Sequence, residues 1–225
     1  AALVLRDPLG GTLRLGVIPT VAPYVLPVAI GPLRKRFPKL RLLLREDQTT
    51  HLVDLVQRGG LDLALLALEV DLGSLETLPL YVDPFVVAVP AGNALAARKT
   101  VREQDLAGQE VLLLEDGHCL RDHALSICKR AGARELGDFR ATSLNTLVRM
   151  VAGGTGVTLL PAMALSVEVH TQDRVVTLAL ERREVRTIGL AWRPSTPRRA
   201  TFELLGQVLA EHAPKGTLPV PRGRR

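Results

Sequence analysis

Aromatic side chains make up only 3% of this 225-residue chain: one tryptophan, two tyrosines and four phenylalanines. That scarcity argues against the exposed aromatic platforms on which single-stranded nucleic acid stacks. It also leaves the core to Leu, Val, Ala and Ile. No apolar run approaches the roughly 20 residues of a membrane-spanning helix, so no membrane partner is expected. The opening, Ala1 to Pro8, lacks the basic start and cleavage pattern of a secretory signal, and a start at Ala1 without Met suggests a fragment or a processed chain. Cysteine is nearly absent, with Cys119 and Cys128 the whole complement. A disulfide-rich framework is therefore excluded, and a reducing, cytoplasmic setting is expected.

Other chemistries are missing as well. Two cysteines nine positions apart, with His118 and His123, match no standard zinc spacing, so no metal is expected. Gly153-Gly154-Thr155-Gly156 lacks the lysine and the spacing of a phosphate-binding loop, and no cofactor motif stands in its place. No Ser-His-Asp order stands out. There is no internal repeat.

What is present is apolar and basic. The hydrophobic fraction of 47% supports a packed core, and the length allows one large α/β domain or two lobes of about 100 residues each. The net charge of +6 could mark an acidic partner. The arginines are scattered, however, with clusters at Arg182-Arg183, Arg198-Arg199 and Arg222 to Arg225, and no helix-turn-helix or zinc finger is visible. A solvated basic surface is the favoured reading over direct contact with nucleic acid.

Periodicity alternates strands with helices. Strands are expected at 12–18, 39–46, 61–68, 75–82, 85–89, 111–114, 157–160, 175–180 and 187–193, with an extended stretch at 139–142. Helices are expected at 24–37, 49–58 (capped by Thr49), 103–106, 120–131, 144–152 (capped by Ser143) and 197–212. This alternation implies α/β architecture with parallel strands flanked by helices. Val82-Asp83-Pro84 is a plausible crossing between two lobes, with the return near Glu184 to Thr187. That gives a linker end at 1–11, one lobe from 12–83 and 187–213, a second from 84–186, and a disordered Pro/Arg-rich tail at 214–225.

Open α/β sheets bind ligands beyond the carboxyl ends of their strands. Three such ends carry polar or small residues: Pro19-Thr20, Gln48-Thr49-Thr50 and Gly117-His118-Cys119. In a two-lobed fold the first two would face the third across a cleft. Cys119, beside His118, two residues before Arg121 and at an expected helix start, sits where thiolate is favoured. Cys128 falls on the apolar stripe with Leu120, Ala124, Ile127 and Ala131. On an unbroken helix nine residues separate Cα atoms by about 13 Å, whereas a disulfide tolerates about 4.4–6.8 Å. Pairing would therefore require the segment to unwind. Packed, inert cysteines remain the alternative, as do capping or turn roles for Thr20, Thr49 and Thr50 and a surface role for His118.

Several segments carry a family resemblance. They are Gly16 to Val21 with Pro23-Tyr24, Leu114 to Asp122 with Cys128, Phe139 to Leu144, Gly156 to Pro161, and Arg186 to Leu190. Together they resemble the OxyR family, the peroxide-sensing branch of the LysR-type transcription regulators, from about Thr12 to His212. The resemblance implies a two-lobed, periplasmic-binding-protein-like (type 2) regulatory domain whose DNA-binding winged helix-turn-helix is absent from this chain. It implies that hydrogen peroxide oxidises Cys119, the peroxidatic residue, and that Cys128 resolves it. Thr20, Thr49, Gly117 and His118 match residues of the peroxide pocket, and Arg186, which spacing alone would not select, joins the assisting residues with His118. Implied partners are hydrogen peroxide, further copies of the chain in a homodimer or homotetramer, promoter DNA and RNA polymerase. The chain departs from the family at Val185, where a second basic residue is usual, and in its tail. A LysR-type metabolite-binding domain with inert cysteines, or a stand-alone thiol peroxidase, are the competing readings. The cysteine motif disfavours the first, and the lack of a Cys-x-x-Cys recycling pair disfavours the second.

Overall fold

The computed structural model describes residues 10–221. In chain order the elements are β1 (Gly11–Val17), α1 (Ala22–Arg36), β2 (Leu40–Glu46), α2 (Thr49–Gln57), β3 (Leu63–Ala67), β4 (Glu76–Pro90), β5 (Thr100–Val101), β6 (Glu110–Leu114), α3 (Cys119–Ala131), β7 (Arg134–Ala141), α4 (Leu144–Ala152), β8 (Thr158–Pro161), α5 (Leu165–Glu168), β9 (Val175–Leu180), β10 (Val185–Trp192), α6 (Arg199–Glu211) and β11 (Leu218–Pro219). Short 3-10 turns occupy Ala94–Ala97, Glu103–Leu106 and Ala162–Ala164. The chain divides into two compact units, one running to Val82 and resuming at Arg186, the other Asp83–Val185. The fold is the α/β architecture expected, but its strands are mixed rather than all parallel, because β8, β9, β10 and β11 pair antiparallel with their neighbours β3 and β4.

The first unit is a sheet in the order β2-β1-β3-β10-β4. β1 runs parallel to β2 and to β3, and β10 lies antiparallel to β3. Every residue of Leu63–Ala67 is buried, as an all-apolar strand covered on both faces must be. β2 forms the edge, and its Leu43 and Leu44 are exposed. Trp192 and Phe202 pack ring to ring at 5.5 Å, and the indole N–H donates to Glu76 at 3.0 Å.

In the second unit β8 and β9 pair antiparallel with the later half of β4, β5 runs parallel to β9, and β6 and β7 form a separate parallel pair. Gly156 lets β6 approach: a Cβ there would lie 2.7 Å from the Glu110 carbonyl oxygen. Helices α3 and α4 pack on this pair, burying Leu120, Ala124, Ile127, Leu147 and Val151.

Three further expectations change. The crossings between units fall where the sequence placed them, at Val82/Asp83 and Val185/Arg186, but the strands expected at 75–82 and 85–89 are one continuous strand, β4. Proline's fixed φ suits extended backbone wherever no ladder hydrogen bond is owed. Asp83 is fully buried and accepts from the Met163 backbone N–H at 3.0 Å. The tail read as disordered from Pro214 is ordered through Pro221: Leu218 and Pro219 pair with Val82 and Tyr81, and the Thr217 hydroxyl closes a turn on the Pro214 carbonyl at 2.7 Å. Backbone pairing to an open strand outweighs composition there. Arg222 to Arg225 lie outside the described residues, as does most of the expected linker end. Arg186, placed in the second lobe from sequence, belongs to the first unit.

Candidate functional site

Strand β6 ends at Leu114, and Glu115-Asp116-Gly117-His118 turns the chain into α3. Gly117 takes φ +94°, a left-handed conformation that side-chain-bearing residues resist. His118 is the N-cap residue in extended conformation, and its side chain makes no capping hydrogen bond. The imidazole is buried, with Nε2 3.8 Å from Glu115 Oε1. Burial pushes its pKa down, and the pull of Glu115 only partly opposes this, so the ring is held toward its neutral form.

Cys119 opens α3 and is partly exposed, at the end of the helix where backbone N–H groups lack intrahelical acceptors. Cys128 lies in the same helix, 1% exposed. Desolvation, and then the negative charge of Glu135, push its thiol up to about 11. Both cysteines are free. The helix is unbroken between them, so about 13 Å separates their Cα atoms.

Arg121 differs from expectation. Sequence proximity offered its guanidinium as added positive potential for Cys119. It is instead buried and engaged by two carboxylates, with Nε donating to Asp116 at 2.8 Å and Nη1 2.9 Å from Glu135 Oε1. Arg140 reaches the same two acids. Asp116 and Glu135 carry no sequence signal for this role. The burial of Arg121 was legible, because it shares the spacing of Ala124, Cys128 and Ala131 along the helix.

The first unit contributes a second cluster. Thr20 follows β1 in a turn and is buried. Arg186, fully buried at the start of β10, donates from Nη1 to the Thr20 hydroxyl at 2.8 Å and from Nη2 to the Thr20 carbonyl at 3.0 Å. Thr49 is not the cap of α2: Gln48 occupies that position, and Thr49 is the first helical residue. Its hydroxyl is buried without a hydrogen-bond partner, although such groups normally find one. Thr50 is exposed. Thus Thr20 is joined to Arg186 in one unit, and Gly117, His118, Cys119 and Cys128 are carried by one loop and helix in the other. Among the described residues no group of three His, Cys, Asp or Glu side chains could hold a metal ion, and no helix is long and apolar enough to cross a membrane.

Residues 6–214 match the LysR substrate binding domain family. The chain is 45% identical over 204 residues to the DNA-binding transcriptional dual regulator OxyR of Escherichia coli strain K12, covering 90% of this chain and 67% of that protein. Among solved structures, the oxidised form of OxyR aligns with TM-score 0.82 at 43% identity, covering 92% of this chain and 97% of that one. The reduced form aligns with TM-score 0.81 at 40% identity, over 92% and 97%.

Proposed function

The chain belongs to the LysR substrate binding domain family, and on that premise we propose that it is the peroxide-sensing regulatory domain of a LysR-type transcription regulator. The observation that carries this reading is the contrast between two thiols on one helix. Cys119 is partly exposed at the opening residue of α3, whereas Cys128 is buried with its thiol pushed up to about 11. One is placed to react and the other is held in reserve.

The chemistry takes two steps. The Cys119 thiolate sulfur attacks one oxygen of hydrogen peroxide, the O–O bond breaks, and hydroxide leaves a sulfenic acid. The Cys128 sulfur then attacks the Cys119 sulfur, the S–O bond breaks, and the departing hydroxide leaves as water with the Cys128 proton. Thr20, Thr49, Gly117 and His118 are assigned to hold peroxide, with Arg186 and His118 assisting. The Arg186-to-Thr20 hydrogen bonds and the unpartnered Thr49 hydroxyl support that assignment. A neutral, buried His118 suits hydrogen bonding to an uncharged ligand.

The sensor is stoichiometric rather than an enzyme, and acts in the cytoplasm. Its output is a changed homodimer or homotetramer, read at promoter DNA through a helix-turn-helix outside this chain and at RNA polymerase. Mass spectrometry after one equivalent of peroxide tests the reading. Loss of two hydrogens from the peptide pair carrying Cys119 and Cys128 is expected. Two unreacted thiols would instead favour a metabolite-binding domain with inert cysteines.

A further inference from the structure

A Cys119–Cys128 disulfide cannot form on an intact α3, because about 13 Å must shrink to about 4.4–6.8 Å. One end of the helix has to open, and the side chains at the two ends differ. At the Cys128 end Arg130 donates from Nε and Nη2 to Glu103 at 3.1 and 3.0 Å, and Nη2 lies 3.0 Å from Glu184. Those two carboxylates are only 11% and 15% exposed. Gly132, at φ +69°, ends the helix in the left-handed conformation, and its N–H and that of Ala133 both donate to the Cys128 carbonyl. This end is closed by side chain and backbone together.

The Cys119 end is held differently, with the Arg121 N–H donating to the His118 carbonyl at 2.9 Å. No side chain caps it, and Cys119 itself is partly exposed. Two side chains hold its first turn: the apolar Leu120 and the guanidinium of Arg121. Arg121 ties the turn backward to Asp116 in the preceding loop and sideways to Glu135 on β7. Arg140, also on β7, touches both acids and joins them into a quartet. The quartet is open on one side: Arg121 is 6% exposed but Asp116 is 74% exposed. Nη1 of Arg121 approaches Glu135 without an aligned hydrogen bond. An arginine that enters a buried position through a partner in solvent is a tie that holds yet can let go.

We infer that Arg121, with Asp116 and Glu135, is a positioning latch that keeps the first turn of α3 wound and so sets the rate at which Cys128 resolves oxidised Cys119. The inference rests on the two-step thiol reading above. The latch touches neither peroxide nor the reacting sulfurs. It acts on how often the turn carrying Cys119 opens toward a fixed Cys128. Weakening it should shorten the life of the sulfenic acid and leave the first step, which needs no unwinding, at its parental rate.

The two steps separate in a stopped-flow experiment on the whole 225-residue chain. The oxidation phase scales with peroxide concentration, and the resolving phase does not. Asp116→Asn, at an exposed position, removes a charge without emptying a packed site. It should speed the resolving phase by about tenfold, the size expected when the charge-assisted bond from Arg121 to the loop is weakened. The second bond to Asp116, from Arg140, comes from β7 and not from the helix. Asp116→Glu, which keeps the carboxylate, should return the rate to within about twofold of the parent. Arg121→Gln should accelerate the phase at least as much as Asp116→Asn. Raised salt should accelerate the parent and leave Asp116→Asn nearly unchanged. A resolving phase that is unchanged or slower in Asp116→Asn, with a disulfide forming normally in the parent, overturns the latch alone. A parent that forms no disulfide overturns the latch together with the reading beneath it.

Discussion

The two ends of α3 place the same side chain in opposite surroundings. Cys119 and Cys128 share a helix of 13 residues, yet one sits at an uncapped N-terminus with partial access to water and the other sits beneath a closed C-terminus in an apolar layer. Burial raises the thiol of Cys128 and would raise that of any cysteine placed there. Nothing in the residue itself distinguishes an accessible sulfur from a buried one. Helix ends do, because one end offers free N–H groups and solvent while this helix's other end offers neither.

The sharpest way to break the contrast is to exchange a sulfur for an oxygen. Cys119→Ser should abolish oxidation by peroxide entirely. Cys128→Ser should leave a sulfenic acid trapped at Cys119, detectable by a dimedone-type adduct in mass spectrometry. If Cys128→Ser blocks the first step, the two roles are reversed.

A second measurement reads the buried sulfur directly. At pH 8 a thiol with its pKa at about 11 is thiolate in only about one part in a thousand. Alkylation of Cys128 in a Cys119→Ser background should therefore rise about tenfold per pH unit and level off only near pH 11. A plateau near 9, the behaviour of an exposed thiol, would remove the distinction. Stability carries the same signature. The folded thiol keeps its proton while the unfolded one loses it, so stability should fall as pH rises from about 9 through 11. The loss should reach about 2–3 kcal/mol and be missing from Cys128→Ala.

The closed end can be opened on purpose. Arg130→Met removes the guanidinium but keeps an apolar stem, and should cost about 1–2 kcal/mol in thermal unfolding, since two charge-assisted pairs to mostly buried acids are lost. Asp116→Asn at the other end should cost less, because water already surrounds that carboxylate. Equal losses would mean that the ends are held alike.

The smallest expected effect lies in the first unit. Thr49 also opens a helix without a side-chain cap, and its hydroxyl lacks a partner. Thr49→Val should change stability by less than about 1 kcal/mol, and could raise it, because a methyl group replaces an unsatisfied buried oxygen. It should nonetheless slow oxidation of Cys119. Thr20→Val should destabilise more, since it strips an acceptor from the buried Arg186. A large stability loss in Thr49→Val with unchanged oxidation would make Thr49 a packing residue.

Much of this was legible in order along the chain. The all-apolar Leu63–Ala67 run, the helix carrying both cysteines and the Ser143 cap of α4, whose hydroxyl accepts from the Thr146 N–H at 3.2 Å, follow from local periodicity and capping chemistry. The distance that keeps the thiols apart follows from helix rise alone. Val82-Asp83-Pro84 marked the crossing between units correctly but not a strand end, because proline tolerated within a strand looks the same in sequence as proline ending one. Pro214 to Pro221 misled because composition is blind to an open strand elsewhere that can accept a partner.

Local pattern, then, decided which residues are helical, which are strands, and that Cys119 begins an element while Cys128 lies within it. Those properties depend on neighbours a few positions away, and the residue order contains them. Tertiary structure alone decided that Arg186 holds Thr20 across 166 positions of chain, that Glu135 bears on both Arg121 and Cys128, and that the Thr49 hydroxyl has no partner. Charge pairing, desolvation and polar satisfaction act through space at a few ångströms, and only the folded chain sets which groups lie that close.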